Sequence, residues 1–394
     1  MDGRGGAVTN VTVPSRVAER LRRSDDVPFS LFVPPADLAD GAVVRLQSHL
    51  FAGVGLAVVD RQASCLRVLA RGDDGTTLDR AWADARLEAA MALRAAHGLT
   101  GTGGAFRLLN GAGDRTPGLL ADVYGAWAVV SALTPALGPV AHLVAQGLLD
   151  RRMARGVVVK QRGRGQAAAG PANAAVLGEA PPERLIVHEG GWQFEVHLTT
   201  GVNVGLFTDM RVERQRITTF SAGRRVLNLF AYTGALSVAA ASGGAAHVTS
   251  VDLSEGVLAW ARDHFALNGL DASAHTTVAS DVATFLDQAV QGGSRFDVVL
   301  IDPPSFSAAR QAPFAIDRDY PPIIRAACEV LAPGGDLWLA SNTRGFSLTG
   351  AAQVALPEGR QPRLVAQGGL PSDYPTELAD ADARYLQTCL LRLL

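Results

Sequence analysis

Residues 226–238 read Val226-Leu-Asn-Leu-Phe-Ala-Tyr-Thr-Gly-Ala-Leu-Ser-Val238. Apart from Asn228 the stretch opens as an apolar run, turns through small residues at Ala231 to Ala235, and resumes as the start of a helix. Eighteen residues past Gly234 stands Asp252, at the end of a second β-rich run, Val248-Thr-Ser-Val-Asp252. A glycine turn after one strand and an acid after the next is how an α/β sheet grips an adenosine-containing ligand. The glycine admits backbone close to the ligand, and the carboxylate accepts the ribose hydroxyls. Further on, Phe296-Asp-Val-Val-Leu-Ile-Asp302-Pro-Pro-Ser-Phe-Ser307 places Asp-Pro-Pro at the end of a later apolar strand. A nicotinamide enzyme has no need of that element.

Outward from these strands, residues 199–394 alternate strand and helix patterns. The apolar runs predict strands at 226–230, 248–252, 298–302 and 337–341, with a weaker one at 274–278. Two late segments, around Leu364 and from Tyr385 to Leu393, would add an antiparallel hairpin. The reading is a Rossmann-like, doubly wound α/β domain with a seven-stranded sheet. Residues 1–72 carry short β segments at 29–33, 42–46, 55–59 and 66–69, separated by glycines and acidic turns, which predicts a small β-barrel behind a loose tail. Residues 73–198 read as a small α+β domain. Its helix, Leu78 to His97, would be capped by Asp73 or Thr76 and ended by Gly98. One apolar stripe follows Leu78, Trp82, Ala85, Ala89, Leu93 and Ala96, with Leu87 and Met91 on another side. A hairpin around Gly125, a helix from Val140 to Arg152, a strand at 156–160 and a hairpin around Gly190-Gly191 complete it.

Composition narrows the function. With 394 residues, 48% of them hydrophobic, the chain can build a large core. A net charge of −2 gives no global sign of a nucleic-acid partner, and the small basic excess lies in the N-terminal half. Lys160 is the one lysine among the basic residues. Cys65, Cys328 and Cys389 lack metal or redox spacing, in keeping with a reducing cytoplasm and no bound metal. No apolar run reaches transmembrane length, and the first residues lack a signal-peptide core.

The third motif selects the cofactor. Class I methyltransferases of nucleobases and amides use Asp-Pro-Pro at this strand end to hold the methyl acceptor, so the cofactor is read as S-adenosylmethionine. Its sulfonium is already activated, and an in-line displacement asks for placement more than for acid–base help. Asp252 is assigned to the ribose, Asp281 to the adenine amino group, and Tyr232, Thr233 and Gly234 to the methionine half. The prolines of Asp302-Pro303-Pro304 fix φ and remove donors, turning strand-end carbonyls into the pocket. Upstream, Gly201-Val-Asn-Val-Gly-Leu-Phe-Thr-Asp-Met-Arg211 has two readings of equal weight. Asp209 and Arg211 reach the cofactor, or the segment is a hairpin leading to a surface helix that carries Arg211, Glu213, Arg214 and Arg216.

At this point the chain resembles the bacterial 23S rRNA methyltransferases of the RlmI/RlmK type. Ala105-Phe-Arg-Leu-Leu-Asn-Gly-Ala-Gly-Asp-Arg-Thr-Pro-Gly-Leu-Leu-Ala-Asp-Val-Tyr-Gly125 is similar to a family signature, as is Gly205-Leu-Phe-Thr-Asp-Met-Arg211, where Met210 departs from the pattern. Asn228 to Gly234 resembles the family cofactor loop, and Asp302-Pro-Pro-Ser-Phe306 the acceptor motif. The likeness covers nearly everything after residue 75. It implies an N-terminal PUA-like barrel, a central α+β domain, a methyltransferase domain, and a homodimer. It also implies a cofactor site of Phe207, Asp209, Arg211, Asn228, Phe230, Tyr232, Thr233, Gly234, Asp252, Leu253, Ser280, Asp281, Val282 and Asp302. On the acceptor side it implies Asp302, Pro303, Pro304, Ser305, Phe306 and Asn342.

The resemblance then divides. Cytosine C5 methylation needs a thiolate that adds to the ring first. The cytosine members carry that cysteine just after the fifth strand, where this chain reads Leu337-Trp-Leu-Ala-Ser-Asn-Thr-Arg-Gly-Phe346. Ser341 to Phe346 is instead similar to the guanine-N7 branch. N7 has an in-plane lone pair and no proton, so it attacks the sulfonium directly. Asn342 and Arg344 would then read the guanine edge, or else form an ordinary strand-end turn. Arg151, Arg152, Arg155, Lys160, Arg162 and Arg164 form a basic cluster without an acid, either a phosphate track or a solvated loop. The leading expectation is an rRNA guanine-N7 methyltransferase. The alternatives are a cytosine or small-molecule acceptor, and a non-catalytic RNA-binding or assembly module.

Overall fold

Largely apolar runs such as Val226–Leu229, Val298–Ile301 and Leu337–Ala340 cannot leave both faces in water, and a parallel sheet with helices on each side is the arrangement that buries them. A computed structural model of the chain describes residues 8–21, 26–49, 51–72, 76–100, 103–161, 174–201, 203–304, 306–307, 314–356, 362–378 and 383–394. The chain forms two units. The first comprises Met1–Val187, Val196–Val204 and Ser372–Ala381; the second comprises His188–Glu195, Gly205–Pro371 and Asp382–Leu394.

The second unit holds a seven-stranded sheet. Its strands are β1 (Arg225–Leu229), β2 (His247–Asp252), β3 (His275–Ala279), β4 (Phe296–Ile301), β5 (Leu331–Ser341), β6 (Pro362–Gly369) and β7 (Gln387–Leu393). Their order across the sheet is β3-β2-β1-β4-β5-β7-β6. β1 to β5 run parallel, and β7 pairs antiparallel with both β5 and β6. α1 (Arg211–Thr218) precedes β1, and between the strands lie α2 (Ala235–Ser242), α3 (Glu255–Leu267), α4 (Val282–Gln291), α5 (Ile316–Val330) and α6 (Leu348–Ala355). Leu227, Leu229, Val299, Ile301, Leu337 and Leu339 are fully buried in the core under α4, α5 and α6. Each such side chain contributes about 1.5–3 kcal/mol. The strand order reverses direction between β1 and β4, and open α/β sheets leave their ligand crevice at the carboxyl ends of such a switch.

The first unit holds two five-stranded sheets. One runs Thr9–Thr12, Val43–Ser48, Phe51–Asp60, Cys65–Arg71, Asp26–Pro28 across its width, with the first pair parallel and the rest antiparallel. Among the described residues its edge strands do not pair with each other, so the expected barrel is here an open mixed sheet. The other runs Ala174–Gly178, Gly156–Gln161, Trp127–Ala132, Leu119–Tyr124, Ala105–Asn110, with helices Arg80–Ala96 and Gly138–Asp150 packed in its core. The helix expected from Leu78 begins later, because Asp79 caps it by accepting from the Trp82 amide at 3.0 Å. Its buried face is Trp82, Ala83, Leu87, Ala90 and Arg94, whereas Ala85, Ala89 and Ala96 of the expected stripe are exposed. Arg94 explains the rotation: its guanidinium binds Asp114 at 2.6 and 2.8 Å inside the unit. The family signature at 105–125 thus has a structural job. Asp114 also accepts the Asn110 amide at 2.6 Å, Asn110 Nδ2 donates to the Pro375 carbonyl at 3.0 Å, and any Cβ on Gly113 would overlap that carbonyl.

Candidate active site

The turn after β1 is the most constrained backbone in the second unit. Phe230, Tyr232 and Gly234 have φ of +58°, +49° and +75°, so alternate residues are left-handed. Two of the three are not glycine, which costs about 1–3 kcal/mol each, and such outliers gather where a ligand must be met. The loop is tied down on several sides. The Ala231 amide donates to the Val251 carbonyl at 2.9 Å, and the Tyr232 amide to Asp252 Oδ2 at 2.9 Å. Thr233 Oγ1 donates to the Gly205 carbonyl at 2.6 Å. Gly234 is required for a reason the sequence reading did not foresee. Besides its positive φ, a Cβ there would lie 2.7 Å from Ala261 Cβ on α3, so the missing side chain admits a helix as well as a ligand.

Acids ring the crevice. Asp252, at the end of β2, receives the Tyr232 amide on Oδ2 and the Ser254 amide on Oδ1 at 3.1 Å, and it remains half-buried. Asp281 caps α4 through Oδ1, which accepts the Thr284 amide at 3.1 Å. Its exposed carboxylate takes no hydrogen bond on Oδ2 from the described residues. Asp209 is half-buried and accepts the Tyr385 hydroxyl at 2.7 Å. Asp302, just past β4, is pushed up to about 7 by desolvation and then by the nearby Asp209 charge, with the Arg214 charge opposing. Two mutually repelling carboxylates at one spot favour a cationic ligand. Beside them lie apolar side chains that water does not favour: Leu253 is 62% exposed and Phe207 43%, and the Phe207 ring lies 5.5 Å from that of Tyr232. A charged sulfonium and ammonium end with a flat apolar adenine fits this mixture of acids and exposed apolar surface.

α1 is only in part the expected surface helix: Gln215 and Arg216 are exposed, but its other face is buried. Glu213 and Arg214 are each 1% exposed. Arg214 binds Glu189 at 2.6 and 2.7 Å and donates to the Phe207 carbonyl at 2.8 Å, which holds the segment bearing Phe207 and Asp209. Sequence reading missed this role, along with that of His264. On α3, His264 is fully buried, with Nδ1 2.8 Å from the Thr233 carbonyl and Nε2 accepting the Glu195 amide at 2.9 Å. Its pKa is lowered, chiefly by burial, so the ring is neutral with the proton on Nδ1. Neither residue stands in a recognisable motif.

The residues expected on the acceptor side lie at the adjacent strand ends. Pro303 is buried and Pro304 exposed. Phe306–Ser307 pairs with Phe314–Ala315, and the Phe314 ring meets Phe230 of the cofactor loop edge-on at 5.6 Å. Asn342 and Arg344 are exposed just past β5, the neighbour of β4. Not every expected residue is brought to the crevice. Asn228 is fully buried, with Nδ2 donating to Ser237 Oγ at 2.8 Å, because strand alternation turns it under α2. The Thr233 and Val282 side chains are likewise buried, leaving their backbone groups for a ligand. Ser280 is half-buried between Asp252, whose carbonyl takes its amide at 3.0 Å, and Asp281; Arg211 is half-buried at the start of α1. Ser305, Arg162 and Arg164 lie outside the described residues. Lys160 leaves the basic cluster, being 4% exposed and bonded to the Gly201 carbonyl at 3.2 Å, whereas Arg151, Arg152 and Arg155 are exposed. All three cysteines are buried. Among the described residues no helix is long and apolar enough to cross a membrane, and no cluster of three ligating side chains could hold a metal ion.

Comparison with known proteins agrees with this geometry. A family model described as S-adenosylmethionine-dependent methyltransferase matches residues 141–354. A ribosomal RNA large subunit methyltransferase of Deinococcus radiodurans is 34% identical over 340 residues, 83% of either chain. Ribosomal RNA large subunit methyltransferase K of Neisseria meningitidis serogroup B is 42% identical over 166 residues, which are 42% of this chain and 47% of that protein. The chain thus spans about half the length of that relative. The crystal structure of SMU.776, a putative methyltransferase complexed with SAH, superimposes with a TM-score of 0.87 at 26% identity, over 98% of this chain and 100% of that one. A switch-point crevice lined with acids, a matching family model and a relative aligned over 83% of either chain lead to one conclusion: the chain belongs to the S-adenosylmethionine-dependent methyltransferases, and S-adenosylmethionine is its cofactor.

Proposed function

We propose that this methyltransferase acts on RNA, at N7 of a guanine in 23S rRNA, by direct in-line transfer without a covalent enzyme adduct. The observation that carries the proposal is the state of the cysteines. Cys65, Cys328 and Cys389 are all buried, and desolvation pushes Cys65 and Cys389 each up to about 12. A thiolate able to add to a cytosine ring needs the opposite, a lowered pKa and access to the base. Guanine N7 needs neither thiolate nor base. The RNA assignment draws on relatives named as large-subunit rRNA methyltransferases.

In this reading Asp252 receives the ribose and Asp281 the adenine amino group, while Leu253 and Phe207 cover apolar surface. When bound, the cofactor supplies a methyl group on a sulfonium. Asp209 and Asp302 orient its cationic end. Asp302-Pro303-Pro304, with Asn342 and Arg344 beside it, holds the guanine so that its lone pair faces the methyl carbon. Guanine N7 would take the methyl group as the sulfur–carbon bond gives way to leave S-adenosylhomocysteine, and Asp302 would face the positive charge that passes to the ring. No proton has to move. Residues 1–72, as a PUA-like domain, and 73–198, with exposed Arg151, Arg152 and Arg155, would contact the RNA backbone.

The test is transfer from labelled cofactor to naked 23S rRNA, followed by nucleoside mass spectrometry. 7-Methylguanosine is the expected product. 5-Methylcytidine would overturn the direct route, and the absence of any methylated nucleoside would overturn the RNA assignment.

A further inference from the structure

The acceptor-side loops leave two neighbouring parallel strands whose last register pair is Ile301 with Leu339. Beyond that pair the carbonyls of Ile301 and Ala340 have one shared partner. The Tyr320 hydroxyl, rising from the first turns of α5, lies 3.0 Å from the Ile301 oxygen and 2.9 Å from the Ala340 oxygen. It carries a single proton, so the two carbonyls share a three-centre bond. The next residue on one strand is Asp302, and the next two on the other are Ser341 and Asn342. Tyr320 is completely buried and its ring stacks on Phe346 at 6.1 Å and 24°. The Phe346 carbonyl in turn accepts Gln387 Nε2 at 2.7 Å, and Gln387 pairs with Ser341 across β5 and β7. One side chain therefore grips both ends of the Ser341–Phe346 loop and the start of Asp302-Pro-Pro.

We infer that Tyr320 is the positioning residue of the acceptor site, setting the spacing between the Asp302 loop and the Asn342–Arg344 loop through the carbonyls of Ile301 and Ala340. It touches neither cofactor nor acceptor. The inference rests on the proposed RNA reading only for the choice of acceptor. A small displacement at the reacting centre has a large kinetic effect, so Tyr320→Phe, which keeps the ring and the stack on Phe346, should lower kcat by about tenfold or more. Affinity for S-adenosylhomocysteine should fall much less than kcat, because the cofactor loop after β1 does not contact the hydroxyl and, of the residues assigned to the cofactor, only Asp302 follows a carbonyl that Tyr320 holds.

The test measures kcat and KM on naked 23S rRNA, S-adenosylhomocysteine binding by calorimetry, and amide hydrogen exchange in peptides covering 300–304, 340–347 and 226–234. Tyr320→Phe should raise exchange in the first two peptides alone. Ile324→Val, buried one turn further along α5, is the control for a purely structural loss and should leave kcat and both loop peptides unchanged. Unchanged exchange at 300–304 and 340–347, an unchanged kcat, or a matching kcat loss in Ile324→Val would each overturn the inference. Failure of the wild-type enzyme to methylate the RNA would instead refute the acceptor assignment, and the exchange measurement would still decide the role of Tyr320.

Discussion

Asp302 should make cofactor binding depend on pH, with a sign and size that the structure specifies. Its carboxyl titrates at about 7, raised from an ordinary 3.8 by desolvation and by Asp209. A sulfonium placed beside it favours the carboxylate, so binding below about pH 7 must first expel a proton. At pH 6 about a tenth of the free enzyme is ionised, and at pH 8 about nine tenths. The dissociation constant for S-adenosylmethionine should therefore fall roughly tenfold, about 1.4 kcal/mol, across that interval. S-adenosylhomocysteine lacks the sulfonium charge and should show a shallower dependence. Folding runs in the opposite sense. Because the folded pKa lies above the unfolded one, the native state holds the extra proton between about pH 4 and 7. That stabilisation is complete below about pH 4 and lost as pH rises through 7, by at most ~4 kcal/mol. Calorimetric titrations from about pH 5.5 to 8 and thermal melts of the free enzyme over the same range read both effects. Asp302→Asn should flatten both. An affinity for S-adenosylmethionine that ignores pH, or a slope of equal size in Asp302→Asn, would refute the assignment.

Asp252→Ala should weaken S-adenosylhomocysteine binding by at least about thirtyfold, measured by calorimetry, since it removes a charged acceptor worth about 1.5–3 kcal/mol per hydrogen bond and also the tie to the Tyr232 amide. Retained affinity would move the ribose elsewhere. The double variant Cys328→Ala/Cys389→Ala should lose stability in denaturant melts yet keep kcat within about twofold at a temperature where it stays folded, because both thiols are buried. A far greater loss of kcat would point to a covalent step. Gly234→Ala should destabilise the fold by about 1–3 kcal/mol in urea titrations, through its φ of +75° and the 2.7 Å approach to Ala261. An unchanged midpoint would show that α3 yields more easily than its packing implies.

The doubly wound sheet was legible because its signals are local. Most of the parallel strands carry a short apolar run, β3 being the weakly marked one, and Asp252, Asp281 and Asp302 stand at the carboxyl ends of strands, where ligands collect. What escaped sequence reading depends on partners remote along the chain. Arg214 looks like one more charge on an amphipathic helix until Glu189, from a hairpin 25 residues earlier, meets it. Asn228 sits inside a cofactor-like motif, but the period-two alternation of its strand turns it inward, where its Nδ2 donates to the Ser237 hydroxyl, itself bonded to that of Ser250. The helix at 80–96 shows the same limit: alanines fit either face, and the buried face was settled by Arg94 reaching Asp114. The open sheet at the N-terminus reflects pairing choices among short β segments, which residue patterns alone do not determine.

The left-handed residues of the cofactor loop bear on how the site works. Were the ligand alone responsible for holding Phe230 and Tyr232 at positive φ, binding would have to supply the strain of both, about 2–6 kcal/mol in all. The surrounding contacts already hold them. Val251 and Asp252 take the amides of Ala231 and Tyr232; Gly205 and His264 take hold of Thr233 from opposite sides; Phe314 packs on Phe230. The loop is thus shaped before the cofactor arrives, and binding free energy is left for the cofactor itself. Asp252 is part of that scaffold as well as the expected ribose acceptor. Each of its oxygens already carries one amide hydrogen bond, so ribose hydroxyls bound there as proposed would have to use the remaining lone pairs, which restricts the direction of approach.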